Sequence, residues 1–215
     1  AQKISTQEID QILLGYTEAQ LATVKLEARN DKAHQHLYVH LPDRTLVFDA
    51  AATAELSAPV WFTLTTSQVG FSQYRARNLV WAYDKWLVGD PQSSAIGYLV
   101  DTRGDHWGQI VRWEFGTLIV YNESNGAIFN ELELVSLTGS VALGVDPMIS
   151  TSYSVDGQAW SQDRSIRAGT TGSRKRLAWF QQGHMRNWRI QRFRGDSQAH
   201  LSFIRLEAQI EPLAY

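Results

Sequence analysis

The sequence contains no cysteine, so disulfide bonds and cysteine-ligated metal sites are excluded, and packing alone must stabilise the fold. It also contains no apolar run that approaches the roughly 18 residues of a transmembrane helix, and we therefore expect no membrane span. We expect no secretory signal peptide either, because Asp10 and Gln11 interrupt the first apolar cluster.

Sequence signatures of catalysis are missing as well. There is no glycine-rich phosphate loop, no Gly-x-Ser-x-Gly nucleophile elbow and no His-Glu-x-x-His metal motif. Carboxylates such as Asp101, Asp105 and Glu114 are scattered, and nothing in their spacing predicts that two of them converge. From the sequence we therefore expect a protein that is not an enzyme, with no catalytic residue and no cofactor.

Large apolar side chains are abundant instead. Aromatic residues make up 11% of the 215 residues and include eight tryptophans, a composition that excludes a disordered protein. The length is sufficient for one large all-β domain or two small ones, each with a buried core. The chain opens with Ala1 instead of Met, and we interpret it as a fragment of a longer protein.

Two short surface helices are predicted at the start of the chain. Ser5-Thr6-Gln7-Glu8 has the spelling of a capping box, apolar residues follow at helical spacing, and Gly15 ends the pattern. A second helical stretch opens at Thr17-Glu18 and extends to about Ala28, with Leu21, Val24 and Leu26 as its apolar residues.

From residue 35 onward the apolar period changes to two, which predicts β-strands. Two groups of short strands about forty residues apart have the spacing of propeller blades. Two blades cannot close a ring, because each blade buries its faces only against its neighbours. The predicted strands of the two groups are 36–41, 45–49, 60–64, 77–83, 85–89 and 96–100.

A second set of strands follows a composition shift near residues 104–113. It comprises a strand pair within 109–121 and the strands 129–137, 148–155, 159–166, 174–181, 188–194 and 201–208, which predict a sandwich or barrel. The predicted fold class is all-β. Residues 1–105 form partial β-propeller blades with short N-terminal helices, and residues 106–215 form a β-sandwich or barrel-like domain.

Three histidines, His34, His36 and His40, share one strand parity and would place their imidazoles on one face. Metal ligation needs further convergent donors at bonding distance, whereas polar residues on a hairpin face are common. We favour the polar face by about four to one and predict no metal site.

The segment Ser154–Trp160 resembles the Asp-box hairpin of sialidases and other propellers, although it is one residue short between Asp156 and Trp160. We predict a structural hairpin in which Asp156 and Gly157 form a two-residue turn and Trp160 packs beneath it. An enzymatic role is not favoured, because no residue set for hydrolysis accompanies the segment.

The most polarised part of the chain is Ser173–Arg194, called here the basic stretch, with seven Lys or Arg residues, no acidic residue and four large aromatic residues. We predict that its cations face another subunit or DNA. These residues are Arg174, Lys175, Arg176, Arg186, Arg189, Arg192 and Arg194.

Three interpretations of the basic stretch stay open. The cations could contact phosphate groups, pair with the Glu131/Glu133 strand of a neighbouring subunit, or form a solvated sheet face whose Arg stems cover aromatic rings. The interleaved aromatic residues favour the subunit interface.

Several segments, taken together in their order and spacing, resemble one known family over nearly the whole chain. The segments are Ile4-Ser5-Thr6 with Ile9, Ile12–Tyr16 with Thr17-Glu18-Ala19, His36–Pro42, Leu46–Asp49, Trp61, Trp86–Asp90, Tyr153–Trp160, Lys175–Trp179 and Gly183–Arg186. They resemble the C-terminal half of the packaged-DNA stabilisation protein, the tail hub or nozzle of short-tailed bacteriophages.

The resemblance implies a virion structural protein without catalysis, made in the host cytoplasm and located in the phage tail. In that family, subunits form a homo-hexameric ring that closes the portal channel, retains packaged DNA and serves as the conduit for genome ejection. The implied partners are further copies of the protein, the tail adaptor below the portal, the tail needle and the tailspike, with non-specific contact to passing DNA left open. The family's propeller and smaller β domain agree with the two strand sets.

One alternative also stays open. A carbohydrate-binding or sialidase-like propeller protein would share the Asp-box-like segment and would use exposed tryptophans to bind sugars.

Overall fold

The computed structural model describes residues 3–123, 125–199 and 201–213. Its helices are α1 (Gln7–Leu14), α2 (Glu18–Leu21) and α3 (Ala50–Leu56). Each begins where the side chain of the preceding residue, Thr6, Thr17 or Asp49, accepts a hydrogen bond from a backbone N–H of the first turn. None of the helices in these described ranges is long and apolar enough to cross a membrane.

Antiparallel strands dominate the first hundred residues. They are β1 (Lys25–Asp31), β2 (His34–His40), β3 (Thr45–Asp49), β4 (Val60–Leu64), β5 (Arg77–Ala82), β6 (Lys85–Gly89) and β7 (Ile96–Tyr98). The first four form one sheet in the order β1-β2-β3-β4, and the next three form a second sheet in the order β5-β6-β7.

The rest of the chain is also built from strands. They are β8 (Asp105–His106), β9 (Gln109–Ile110), β10 (Trp113–Gly116), β11 (Val120–Tyr121), β12 (Ala127–Leu137), β13 (Met148–Ser154), β14 (Arg164–Arg167), β15 (Ala178–Phe180), β16 (His184–Met185), β17 (Trp188–Gly195) and β18 (Ser202–Pro212). Strands account for most of the regular structure in the described chain, and the helices are few and short. The predicted all-β class is therefore confirmed.

The chain divides into two compact units. The first comprises the described residues up to Val100 together with His106–Gln109, and the second comprises Asp101–Asp105 and the described residues from Ile110 onward. The core of the first unit joins both of its sheets, because Tyr38 and Val47 from the first sheet pack with Val88 from the second. The boundary that the sequence places between residues 105 and 106 stays a prediction.

The second unit has two sheets with a shared core. One has the order β10-β17-β13-β14, with β11 also paired to β17, and the other has the order β15-β12-β16, with β18 also paired to β12. Leu134 and Trp179 from the second sheet pack with Ile149 and Phe193 from the first. Apolar side chains from two sheets that meet in one core are the arrangement of a β-sandwich.

Local structure departs from the sequence prediction at two places in the first unit. The predicted second helix is too long, because α2 ends at Leu21 and Leu26 lies in β1 opposite Val39. Strand pairing with β2 outweighs the modest helical propensity of that segment. Helix α3 was not predicted, because its residues show no apolar stripe and none of them is buried.

Candidate interaction surface

The basic stretch runs through β15, β16 and β17 of the second unit, and its seven cations fall into three groups. Within the described residues, one cation is buried in the core, three make contacts with other side chains, and three are exposed without such contacts. The last group is the one available to a partner.

Arg189 is fully buried. Its guanidinium lies 4.2 Å from the ring centre of Phe129 and 3.9 Å from that of Tyr153, and it donates hydrogen bonds to the Gln191 side chain and the Gln182 carbonyl. Burial lowers the pKa of Arg189 to about 10, so the group stays charged at neutral pH. The prediction that Arg189 faces DNA or another subunit is wrong, because strand alternation places it on the inner face of β17.

Arg192 and Arg194 lie on the other face of β17 and are half-buried. The guanidinium of Arg192 lies 3.9 Å from the ring centre of Trp160 and donates to Ser152 Oγ over 3.2 and 3.0 Å. Arg194 forms an ion pair with Asp163. Both arginines therefore hold neighbouring segments of this sheet together.

Arg176 binds two carboxylates of its own chain. It donates to both oxygens of Glu133 on β12 over 3.0 Å and to Glu131 over 2.9 Å. The Arg176 guanidinium holds the pKa of Glu133 below its usual value. One interpretation left open from the sequence pairs these cations with the Glu131/Glu133 strand of a neighbouring subunit. It does not hold for Arg176, because Arg176 pairs with that strand inside its own chain.

The remaining cations, Arg174, Lys175 and Arg186, are exposed. In the part of the chain that the structure describes, their side chains make no hydrogen bond or ion pair. Arg174 and Lys175 line a cleft of about 730 Å³ whose walls are residues 133–140 and 172–177. Arg186 lines a smaller cleft of about 260 Å³ together with Trp188.

The Asp-box-like segment forms a hydrogen-bonded loop instead of a two-residue turn. Strand β13 ends at Ser154 and β14 begins at Arg164, so the connection runs over residues 155–163. Within it, Asp156 Oδ1 accepts hydrogen bonds from the backbone N–H groups of Gln158 and Ala159, which keep the pKa of Asp156 below its usual value.

These side-chain hydrogen bonds to the backbone compete with the hydrogen bonds between strands, so β14 begins only at Arg164. Ser154 Oγ accepts from the backbone N–H of Gly157 over 2.9 Å. Trp160 does not pack beneath the turn as predicted, because its ring lies against Arg192. Trp188 is the tryptophan beside Gly157, with a ring atom 3.9 Å from where a Cβ on Gly157 would stand.

The three histidines of β2 separate into two environments. His40 is buried, with Nδ1 3.2 Å from Thr45 Oγ1 and Nε2 3.1 Å from Glu27 Oε2. His34 and His36 instead lie beside Asp49, a residue that the sequence analysis did not single out. The hairpin register offered the missing signal, since it places Asp49 directly opposite His36.

Two family models match the chain. One is described as the β-propeller of bacteriophage P22 Gp10 and matches residues 1–104, and the other is the β-sandwich of the same protein and matches residues 112–211. The chain belongs to the phage tail hub family. The predicted family and the predicted propeller-then-sandwich order are therefore confirmed.

A relative in this family supports the same assignment. The tail hub protein gp10 of Salmonella phage P22 is 28% identical over 188 residues, which cover 86% of this chain and 38% of the length of that protein. The chain thus spans well under half the length of its tail hub relative. The alternative of a carbohydrate-binding or sialidase-like propeller is not favoured, since both models and the relative are phage tail hub proteins.

Proposed function

We propose that this chain is a structural part of a phage tail hub that closes the portal channel, retains packaged DNA and forms the conduit for genome ejection. The observation that carries the proposal is the match of both tail hub models, in order, over nearly the whole chain. The proposed location is the virion tail, and the protein is made in the host cytoplasm before assembly.

The proposed role is mechanical and does not involve catalysis. The support is that the relative is a tail hub protein and that the sequence contains no recognisable catalytic motif. In the intact protein, we expect a homo-hexameric ring that contacts the tail adaptor below the portal, the tail needle and the tailspike.

The exposed cations of the second unit supply a candidate contact within that assembly. Arg174 and Lys175 have no partner in the described chain, and the same cleft contains Leu137, whose side chain is largely exposed. Unpaired cations beside an exposed apolar side chain suit an acidic protein surface with an apolar centre. Contact with another tail subunit is therefore preferred over contact with DNA.

The DNA interpretation is weakened by the pairing of the other cations. Four of the seven basic side chains are already buried or occupied within the chain, which leaves three for phosphate groups. With three free cations, the slope of log affinity against log salt concentration would be no steeper than about −3. A salt series with double-stranded DNA measures that slope directly, and a steeper one would favour the DNA interpretation.

The decisive experiment for the function is genetic. In the phage that encodes this chain, deletion of the gene is expected to give particles that package DNA and then lose it, as measured by nuclease-sensitive DNA and by electron microscopy of the tails. Restoring the intact gene should restore filled particles. Filled, infectious particles that form without the protein would overturn the proposal.

A further inference from the structure

Outside the basic stretch, the first unit brings together the side chains of His34, His36 and Asp49. One ligand atom from each residue lies within 4.8 Å of the other two. The shortest approach is 2.6 Å between His34 Nδ1 and Asp49 Oδ2, and His36 Nε2 lies 3.5 Å from the same oxygen. Two imidazole nitrogens and one carboxylate oxygen therefore lie close together.

Regular strand geometry produces this convergence. His34 and His36 are two residues apart on β2, so their side chains leave the same face, and their rings stack with centres 5.7 Å apart. Asp49 is the last residue of β3 and is directly opposite His36 in the antiparallel register. Ligands on paired strands are held more precisely than ligands on loops.

Asp49 is held in place by a second contact. Its Oδ1 accepts a hydrogen bond from the backbone N–H of Ala52 over 3.1 Å, which leaves Oδ2 for the histidines. Burial disfavours the ionised carboxyl, but the hydrogen bonds from Ala52 and His34 outweigh burial and keep the pKa of Asp49 below its usual value. The carboxylate is therefore anionic and held in one orientation. Hydrogen bonds from outer groups orient metal ligands in the same way.

The surroundings leave one side of the cluster open. The His36 side chain is 14% exposed, and its ring centre lies 5.6 Å from that of Phe62 in an edge-to-face arrangement, whereas the His34 side chain is 51% exposed. Arg29 lies opposite His36 on β1, but its charge is balanced by an ion pair with Asp31 at 3.0 Å. The half-exposed side chain of His34 thus leaves this side of the cluster open to solvent.

We propose that His34, His36 and Asp49 form a binding site for a divalent transition-metal ion of the zinc class, with water as the fourth ligand. Imidazole nitrogen together with carboxylate oxygen suits Zn²⁺, whereas Mg²⁺ and Ca²⁺ prefer oxygen alone. The bound ion joins β2 to β3 and so stabilises the first unit.

The distances allow this coordination after local adjustment of the ligands, which already lie within 4.8 Å of one another. Bonds of about 2.0–2.2 Å in tetrahedral geometry separate neighbouring ligand atoms by roughly 3.3 Å. The 3.5 Å between His36 and Asp49 already fits, and the 2.6 Å between His34 and Asp49 must open. The ion takes the place of the proton in the hydrogen bond between His34 and Asp49, this proton is released to solvent, and the half-exposed ring of His34 moves outward.

Zinc binding to the 215-residue chain, purified without a histidine tag and treated with a chelator, tests the proposal. Equilibrium dialysis against Zn²⁺ is expected to give one ion per chain, with no comparable uptake of Mg²⁺. Co²⁺ in the same site is expected to give the intense visible absorption of a four-coordinate ion. Uptake well below one ion per chain would overturn the proposal.

Variants locate the site. His36→Ala is expected to weaken zinc binding by at least about tenfold, because even an outer-shell residue contributes that much. Asp49→Asn is expected to weaken it similarly and to retain the start of α3, since Asn also caps helices. His184→Ala removes an exposed histidine of the second unit and is the matched control. Equal affinity in all three variants would show that zinc binds elsewhere and would overturn the assignment.

Discussion

At the residue scale, the second unit encloses a positive charge in its core. The partners of Arg189 are two aromatic faces, one side-chain amide oxygen and one backbone carbonyl. A guanidinium suits such a site because it is planar, weakly hydrated and able to stack on rings. We therefore interpret Arg189 as a residue that organises the sandwich.

Removal of Arg189 is expected to destabilise the second unit strongly. Arg189→Ala leaves a cavity and two buried acceptors without donors, and we expect a loss of about 3 kcal/mol or more in the free energy of unfolding. Arg189→Met fills much of the same volume without a charge, so we expect a smaller loss in the free energy of unfolding. Urea denaturation measures both.

The matched control is Arg186→Ala, which removes an exposed cation of the same stretch and should change the free energy by less than about 0.5 kcal/mol. Equal losses for Arg189→Ala and Arg186→Ala would contradict the structural role of Arg189.

A buried carboxylate of the first unit, Asp90, predicts that the stability of the fold depends on pH. The Asp90 side chain accepts hydrogen bonds from Arg75, Ser93 and the backbone of Gln92, and the bond from Arg75 in particular holds the pKa of Asp90 far below its usual range. A depressed folded-state pKa contributes stability above the unfolded pKa of about 3.9, and this contribution is lost as pH falls below it.

We therefore expect Asp90→Asn to lower the melting temperature at neutral pH, and we expect the gap to the parent protein to narrow below about pH 4. Thermal melts of both proteins over a pH series measure the gap. Asp84→Asn, in an exposed turn, is the control and should show no such trend. A difference in melting temperature that stays constant below about pH 4 would contradict the stabilising role of the Asp90 carboxylate.

At the element scale, β17 carries two different functions on its two faces. Its burial alternates without interruption, with Arg189, Gln191 and Phe193 on the inner face and Arg192 and Arg194 on the half-buried outer face. The strict period of two separates residues that organise the core from residues that hold the adjacent loop and strand.

The loop 155–163 depends on the backbone at Gly157. Its φ of 76° lies in the left-handed region, which costs other residues about 1–2 kcal/mol. Gly157→Ala should therefore lower the free energy of unfolding by about 1 kcal/mol, and Gly157→Asn by less, because Asn tolerates this region. Urea denaturation is the measurement.

Gln158→Ala serves as the control for the loop, because the loop uses the backbone of Gln158 and not its side chain. If Gly157→Ala were as stable as the parent protein, the hydrogen-bonded loop would not have the described conformation in solution.

At the scale of the whole molecule, the free cations predict an effect on assembly. Arg174→Ala combined with Lys175→Ala should reduce incorporation into tails at an unchanged melting temperature, because neither side chain has a partner in the described chain. Arg176 is not a suitable target, because its loss also breaks the contact with Glu131 and Glu133. Complementation of a phage that lacks the gene measures incorporation.

Arg167→Ala is the matched control for assembly, since it removes an exposed cation that already pairs with Asp146. A double variant that melts at a lower temperature yet assembles normally would place Arg174 and Lys175 in the fold's own packing instead of an interface.

Patterns within the sequence predict the all-β class, the family and most strand positions, including β4 at 60–64 and β6 at 85–89 without error. These features follow from local periodicity and from motif order, which are both present in the chain. Helix α3 and the end of α2 were missed, because pairing and capping decided them.

Which charges are free depends on the folded chain. Strand alternation assigned Arg189 to one face of β17, but it did not reveal that this face is buried against Phe129 and Tyr153. Likewise, His34 and His36 met Asp49 through cross-strand register and not through sequence spacing. Charge is a property of the residue, whereas its availability depends on neighbours that are distant in sequence and are brought close only by the folded chain.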